Sequence, residues 1–115
     1  MNIEEFREYC LSKPGVEETL PFGPDTLVFK VLGKMFALTG LDSEEFTMNL
    51  KCDPVWAQEL REQYPEIQPG YHMNKQHWNT VHCEGSLDDD LLRELIDHSY
   101  ELVWRSLPKK VREGF

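Results

Sequence analysis

Apolar residues recur at helical spacing in several stretches of the chain. Near the start, Asn2 is followed by apolar residues at every third or fourth position, and Glu5 stands where a capping box requires an acid. A second such stretch follows Asp53-Pro54, an N-cap with proline at the first helical position, and ends at Tyr64-Pro65. Both patterns predict helices that pack with one face.

The longest helical pattern lies towards the end of the chain. Leu91 to Val103 carries a broad apolar stripe, and Ser86 with Asp89 three residues on has the spacing of a capping pair. The pattern predicts a long helix that packs across the rest of the domain.

Between the helices, apolar and polar residues alternate, which is typical of strands with one packed face. Two alternating segments flank Gly33-Lys34, a pair suited to a two-residue type II′ turn, and are therefore predicted to form a hairpin. Glu66 to Gln76 does not alternate and is predicted to be irregular. The predicted strands are an edge or irregular strand within Val16–Phe22, then Thr26–Leu32, Met35–Leu41, Phe46–Lys51 and Trp78–Cys83.

This order of elements predicts an α+β fold, a two-layer sandwich in which an antiparallel sheet of about five strands carries helices on one face. A chain of 115 residues has room for one domain, so residues 1–115 are expected to fold as a single unit. The sequence contains no internal repeat or low-complexity linker.

The charges are unevenly distributed along the chain. The net charge is −9, which opposes binding to nucleic acid or to an anionic membrane unless the charges are segregated. Acids cluster near the start and in the last helix, whereas Thr26–Leu41, Phe46–Cys52 and Ile67–Cys83 contain none. Because the acid-free segments are mostly predicted strands, we expect acidic helices and a neutral-to-basic sheet.

Metal and redox chemistry find little support in the sequence. His72, His77 and His82 are spaced five residues apart, which places the last two on opposite faces of a strand, and no H-E-x-x-H or C-x-x-C motif occurs. The three cysteines are widely spaced and are expected to be buried and unpaired. We therefore expect no metal site, no disulfide and no cofactor.

Catalysis and membrane insertion are also disfavoured. Cys83 beside His82 and Ser99 beside His98 are sequence neighbours that point apart, and neither pair lies in a strained or glycine-rich turn. No apolar run approaches the ~20 residues that a bilayer span needs, and the N-terminal residues lack the pattern of a signal peptide. The sequence therefore favours a non-enzymatic cytoplasmic protein.

One acid-free run combines aromatic, amide and cationic side chains. Such a run can stack bases or hold phosphate. In the alternative interpretation, Tyr71 and Trp78 belong to the core, Asn74-Lys75 forms a turn, and the other polar side chains bond irregular backbone. The candidate binding residues in this run are Tyr71, His72, Asn74, Lys75, His77, Trp78 and Asn79.

Several strings in this sequence resemble those of the MmcQ/YjbR family of small bacterial proteins. They cover nearly the whole chain: Lys13–Thr19, Pro21–Asp25, Phe29–Val31, Gly33–Ala37, Asn49–Pro54, Pro69–Thr80 and Ser99–Val103. The resemblance implies a two-layer fold like that of secretion chaperones and DNA binding through a double-wing arrangement. By similarity, the binding residues would be Lys30, Lys34, Lys51, Lys75, His77, Trp78 and Asn79. Gln76 stands where the family pattern often has a second base.

The leading hypothesis is a non-enzymatic domain that binds DNA weakly, mostly through phosphate. The alternative is an adaptor for a protein or small ligand, since the fold resembles that of chaperones and Trp and Tyr suit interfaces. An enzyme would instead require a pocket with strongly shifted titratable groups around His72 or His77. The sequence leaves the oligomeric state open.

Overall fold

The computed structural model describes residues 1–70 and 73–115 and has the predicted α+β architecture. The elements in chain order are α1 Ile3–Leu11, β1 Val16–Thr19, β2 Thr26–Val31, β3 Lys34–Gly40, β4 Thr47–Lys51, α2 Pro54–Gln63, β5 Ile67–Pro69, β6 Trp78–His82, α3 Asp89–Ser106 and α4 Lys109–Glu113. Within these described ranges, no helix is long and apolar enough to cross a bilayer.

The helix starts follow the capping chemistry of the sequence, with one correction. Asn2 and Glu5 form the predicted reciprocal capping box of α1, and the Asp53 carboxylate accepts from two backbone amides in the first turn of α2. The N-cap of α3 is Asp88, whose Oδ1 accepts from Leu91 N at 2.8 Å. The predicted cap, Ser86, instead donates through Oγ to Glu66 Oε2 at 2.7 Å.

The strands form one antiparallel sheet in the order β1-β2-β3-β4-β6-β5. Across the described ranges the sheet has six strands, one more than predicted, because β5, which lies in the segment predicted to be irregular, pairs with β6. Its register places Ile67 opposite Val81 and Pro69 opposite Asn79. Proline is tolerated because β5 is an edge strand, and three residues are too few to show an alternating pattern.

The turn between β2 and β3 lies one residue earlier than predicted. Val31 pairs with Lys34, so the two turn residues are Leu32 and Gly33. Their φ angles are 47° and 87°, as in a type I′ turn. The predicted type II′ turn at Gly33-Lys34 is therefore wrong, because Lys34 already belongs to β3.

All the packing between the long helices and the sheet occurs on one face. Phe6 of α1 meets the Phe29 ring edge-on at 5.4 Å, and Phe36 of β3 meets Tyr100 of α3 in the same way at 5.5 Å. The buried hydroxyl of Ser99 in α3 donates to Phe36 O at 2.5 Å and accepts from Lys51 N at 2.9 Å. These contacts define the helix face of the sheet.

Candidate functional site

The other face of the sheet carries none of these helix contacts and is called the open face below. Residues directly opposite in antiparallel strands project to the same side, and successive residues alternate. The register therefore assigns to the open face Glu17 and Thr19 of β1, Thr26, Val28 and Lys30 of β2, Met35 and Leu38 of β3, Thr47, Asn49 and Lys51 of β4, Gln68 of β5, and Trp78, Thr80 and His82 of β6.

The register brings together three residues that the sequence singles out. Lys51 lies directly opposite Trp78, and Lys30, two strands away from β4, projects from the same face. Adjacent strands are about 4.8 Å apart, so Lys30 and Lys51 start from backbones roughly 10 Å apart. The two ammonium groups can therefore contact successive anionic groups of one extended ligand.

The open face contains few acids. Its only carboxylate among the assigned residues is Glu17, which lies directly opposite Lys30 at the β1 edge. His82 Nδ1 lies 2.9 Å from Glu45 Oε1 in the loop before β4. β3, which lies between the strands of Lys30 and Lys51, presents the apolar Met35 and Leu38 on this face, whereas β4 and β6 are polar there, since Thr80 donates through Oγ1 to Asn49 Oδ1 at 2.6 Å.

Acids concentrate on the helix side, as the sequence pattern predicts. Arg7 Nη2 pairs with Glu18 Oε1 at 2.5 Å, and the Arg7 guanidinium lowers the pKa of that carboxyl. The Met1 ammonium holds Asp89 of α3 at 2.5 Å and lowers its pKa in the same way. Beyond these pairs, the helices carry more acids than bases: α1 has Glu4, Glu5 and Glu8 with Arg7, and α3 has Asp89, Asp90, Glu94, Asp97 and Glu101 with Arg93 and Arg105.

Trp78 is a limited stacking surface. Its side of the sheet is uncovered by helix, yet only 8 % of the residue is exposed, and Val28 on the same face is fully buried. Base stacking needs an accessible ring face. The lysines and the hydroxyl and amide groups are thus the available contacts of the open face.

Two further candidate residues lie on the helix face. Lys34 Nζ is 3.2 Å from Ser106 Oγ near the end of α3. Asn79 is 3 % exposed, and its Oδ1 accepts from Arg61 Nε at 2.6 Å. The structure therefore separates Lys34 and Asn79 from Lys30 and Lys51.

The loop before β6 is held mainly by its own backbone. Asn74 O accepts from His77 N and Trp78 N at 3.2 and 2.9 Å, and Asn74 Oδ1 accepts from Gln76 N at 2.9 Å. His77 O accepts from Cys52 N at 2.8 Å, and Lys75 is exposed. Asn74 thus has the turn role of the alternative interpretation. Tyr71 and His72 lie outside the described residues.

Arg61 of α2 is a structural residue that the sequence pattern did not single out. Its guanidinium donates to Asn79 Oδ1, to Lys75 O and to Trp78 O, so it ties α2 to the loop before β6. Arg61 follows the buried Ala57 and Leu60 at spacings of four and one. A charged residue on the buried side of a helix is the signal that could have identified it.

Gly70 permits the close approach of this loop to β6. Its amide donates to Trp78 O at 2.9 Å, and a Cβ at this position would lie 3.1 Å from Trp78 Cβ. A side chain at this position would therefore require the loop or Trp78 to shift by a few tenths of an ångström.

The catalytic candidates are engaged in structural contacts. His98 Nε2 accepts from Asp53 N at 3.0 Å, whereas the Ser99 hydroxyl bonds β3 and β4. Burial raises the pKa of Cys83 to about 12, which keeps its thiol protonated at neutral pH. In residues 1–70 and 73–115, no three His, Cys, Asp or Glu side chains are grouped as a metal site requires.

Two family strings meet on the helix side. Tyr100 OH donates to Pro14 O at 2.6 Å, and Lys13 pairs with Asp97 of α3. The Lys13 ammonium also lies 4.8 Å from the centre of the Tyr9 ring. These strings therefore anchor α3 to the segment between α1 and β1.

Comparison with known proteins finds the same family resemblance over nearly the whole chain. The sequence model of the YjbR family matches residues 11–102. The uncharacterized protein YjbR of Escherichia coli (strain K12) is 34% identical over 113 residues, which cover 98% of this chain and 96% of YjbR. The uncharacterized protein YbdF of Escherichia coli O157:H7 is 41% identical over 107 residues, which cover 93% of this chain and 88% of YbdF.

The fold is also found among solved structures. The crystal structure of the Deinococcus radiodurans protein DR2400 matches with a TM-score of 0.91 and 41% sequence identity, covering 98% of this chain and 86% of that chain. The sequence strings and the sheet topology thus identify the same group of proteins.

Proposed function

This chain belongs to the YjbR family, and from that premise we propose that it is a non-enzymatic domain whose open face binds the phosphate backbone of nucleic acid weakly. The observation that supports the proposal is the placement of Lys30 and Lys51 on one uncovered, acid-poor sheet face beside Trp78. The side-chain amide of Asn49, two residues from Lys51 on the same face of β4, can donate to a further phosphate oxygen.

The geometry favours backbone contacts over base recognition. Trp78 is largely buried, and no helix of the described part of the chain is placed on this face to enter a groove. Lys30, Lys51 and the exposed Lys75 together would displace few counterions, which corresponds to a salt slope of about −2 to −3 in log K against log salt. The charge of −9 on the whole chain further weakens the association.

The direct test is fluorescence anisotropy with labelled single-stranded and duplex DNA over a salt series. Lys51→Ala should weaken binding about three-fold or more at low salt and reduce the salt slope by about 1, since one phosphate contact is lost. Lys34→Ala removes the same charge from the same sheet but from the helix face, so it should have a much smaller effect.

Two results would contradict this function. One is the absence of binding to either DNA at low salt. The other is an equal loss of affinity in Lys51→Ala and Lys34→Ala, because that result would reflect net charge and not the open face.

A further inference from the structure

A second surface of different chemistry lies at one end of the sheet. A groove of ≈ 470 Å³ runs between the start of α1, the loop that joins β3 to β4, and the residues that follow β6. Its lining combines Met1, Asn2 and Ile3 with Gly40, Leu41, Ser43, Glu44, Glu45, Phe46, Cys83 and Glu84. This set is called the end groove below.

The apolar part of the end groove is open to solvent. Leu41 is 45 % exposed, and Met1, Ile3 and Phe46 are half-buried beside it. The loop itself is fixed in place, since Leu41 N donates to Asp25 O at 2.7 Å and Phe46 N donates to Glu84 Oε1 at 3.2 Å. An incoming apolar side chain would therefore meet a formed surface.

The rim of the end groove is acidic. Glu44, Glu45 and Glu84 line it, and Glu44 makes no hydrogen bond or ion pair with the described part of the chain. The one positive group in the lining is the Met1 ammonium, which Asp89 already holds at 2.5 Å. The rim thus presents uncompensated negative charge around an apolar floor.

We propose that the end groove docks a basic amphipathic peptide segment of another protein. An apolar side chain of the segment would cover Leu41 and Phe46, and flanking Lys or Arg side chains would pair with Glu44 and its neighbours. Charge complementarity selects this occupant, because the same rim repels nucleic acid and acidic peptides. Apart from Gly40, which lies opposite Thr26 and has no side chain, the end groove shares none of its lining residues with the open face.

The test uses a twelve-residue peptide with two leucines one helical turn apart and lysines elsewhere, titrated into the ¹⁵N-labelled full chain. Amide shift changes are expected mainly at residues 1–3, 40–46 and 83–84. Leu41→Ser and Glu44→Lys should each weaken binding about five-fold or more, since one removes the apolar contact and the other reverses a rim charge.

Matched controls separate this site from general attraction to an acidic protein. Val111→Ser removes an apolar side chain of similar exposure, 42 %, and Glu59→Lys makes the same charge change on α2. Both should change the affinity less than about two-fold. A control peptide with glutamate in place of lysine should not bind.

Three outcomes would overturn the proposal. The first is no binding of the lysine-rich peptide, and the second is equal weakening by Glu44→Lys and Glu59→Lys. The third is self-association that Leu41→Ser abolishes, because a second copy of this chain would then be the occupant. DNA binding through the open face can succeed or fail independently of all three.

Discussion

At the scale of single residues, position in the sheet decides what a side chain can do. Lys30 and Lys34 are four residues apart in one hairpin, yet Lys30 projects from the open face and Lys34 reaches Ser106 of α3. Alternation explains this difference, because Lys34 lies opposite Val31, and Val31 projects to the face opposite that of its neighbour Lys30. Farther along β3, Phe29 pairs with Ala37 and Lys30 with Met35, which leaves Phe36 as an extra, bulged residue. The bulge lets Phe36 enter the helix-face core.

His98 links stability to pH. Its Nε2 accepts from Asp53 N, and its ring meets Trp56 edge-on at 4.6 Å. Burial lowers the pKa of His98 below its ordinary value of 6.5, against the opposing effects of Asp53 and Glu94. The unfolded chain therefore binds the proton more readily than the folded chain, so the contribution of His98 is complete above pH 6.5 and is lost as the pH falls through the lower, folded pKa.

His98→Gln should remove this pH dependence, since the side-chain carbonyl of the introduced glutamine can still accept from Asp53 N but does not titrate. As the pH is lowered from neutral to mildly acidic, the free energy of unfolding of the wild type should decrease relative to that of His98→Gln. We expect a change below about 1 kcal/mol, because the ring is only partly buried and its charge interactions are screened. Urea unfolding of both proteins at matched pH values measures it, and parallel curves would show that His98 does not titrate differently on folding.

At the scale of elements, local chemistry makes the helices predictable from the sequence. The capping box of Asn2 and the Asp53-Pro54 start each depend on residues within three positions, and both form as predicted. The start of α3 is harder to predict because Ser86 and Asp88 both suit an N-cap. Ser86 is drawn to Glu66, which is twenty residues away in the chain, and such a contact is invisible to a local pattern.

Strand alternation identifies packed faces but leaves register and short edge strands undetermined. The pattern of Thr47, Asn49 and Lys51 correctly assigns these residues to the wet side of β4. It could not show that Trp78 lies opposite Lys51, or that Asn79 points to the helix face, because both depend on how β6 pairs with β4. The sequence therefore predicted which residues the candidate site contains better than it predicted how they are arranged.

Arg61 determines how firmly α2 holds the loop before β6. Arg61→Ala would leave the buried Asn79 Oδ1 and the carbonyl of Lys75 without their donor, whereas Trp78 O would keep its bond from the Gly70 amide. We expect the free energy of unfolding to fall by about 2–3 kcal/mol and amide hydrogen exchange to rise at residues 73–78. Arg61→Lys should recover only part of this loss, because an ammonium lacks the planar fork of a guanidinium.

Arg105→Ala is the control for the loss of an arginine from a helix. The Arg105 side chain is 76 % exposed and lies 3.6 Å from Glu101, so its removal should cost less than about 0.5 kcal/mol. If Arg61→Ala lowered the overall stability but left exchange at residues 73–78 unchanged relative to the rest of the chain, Arg61 would not be the link between α2 and the loop.

At the scale of the whole molecule, the open face and the end groove differ in charge, which the net charge of the chain does not show. A protein of net charge −9 still presents Lys30 and Lys51 on one sheet face, whereas the end groove gathers acids around Leu41. The absence of acids from most predicted strands indicated that the sheet would carry the first of these surfaces. The second depends on three segments that are distant in sequence, namely the start of α1, the loop between β3 and β4, and the residues after β6, so no local pattern could predict it.

The three cysteines offer a measure of whether residues 1–115 unfold as one unit. Cys10 lies in α1, Cys52 follows β4 and Cys83 follows β6, and all three are free and buried. Burial raises the pKa of each thiol to about 12, so at neutral pH none reacts readily while the chain is folded. Alkylation therefore requires that part or all of the protein unfolds and exposes the thiol.

In a single cooperative domain, the opening that exposes each of these cysteines is global unfolding. The protection of each cysteine is its alkylation rate in concentrated urea divided by its rate in the folded protein. All three cysteines should then show the same protection, on the order of 10³-fold or more. The free energy that corresponds to this protection should equal the free energy of unfolding from urea titration. Peptide mass spectrometry resolves the three sites in one experiment. Faster labelling of Cys83 alone would mean that the region around the end groove opens separately, since Cys83 lines that groove and the other two cysteines do not.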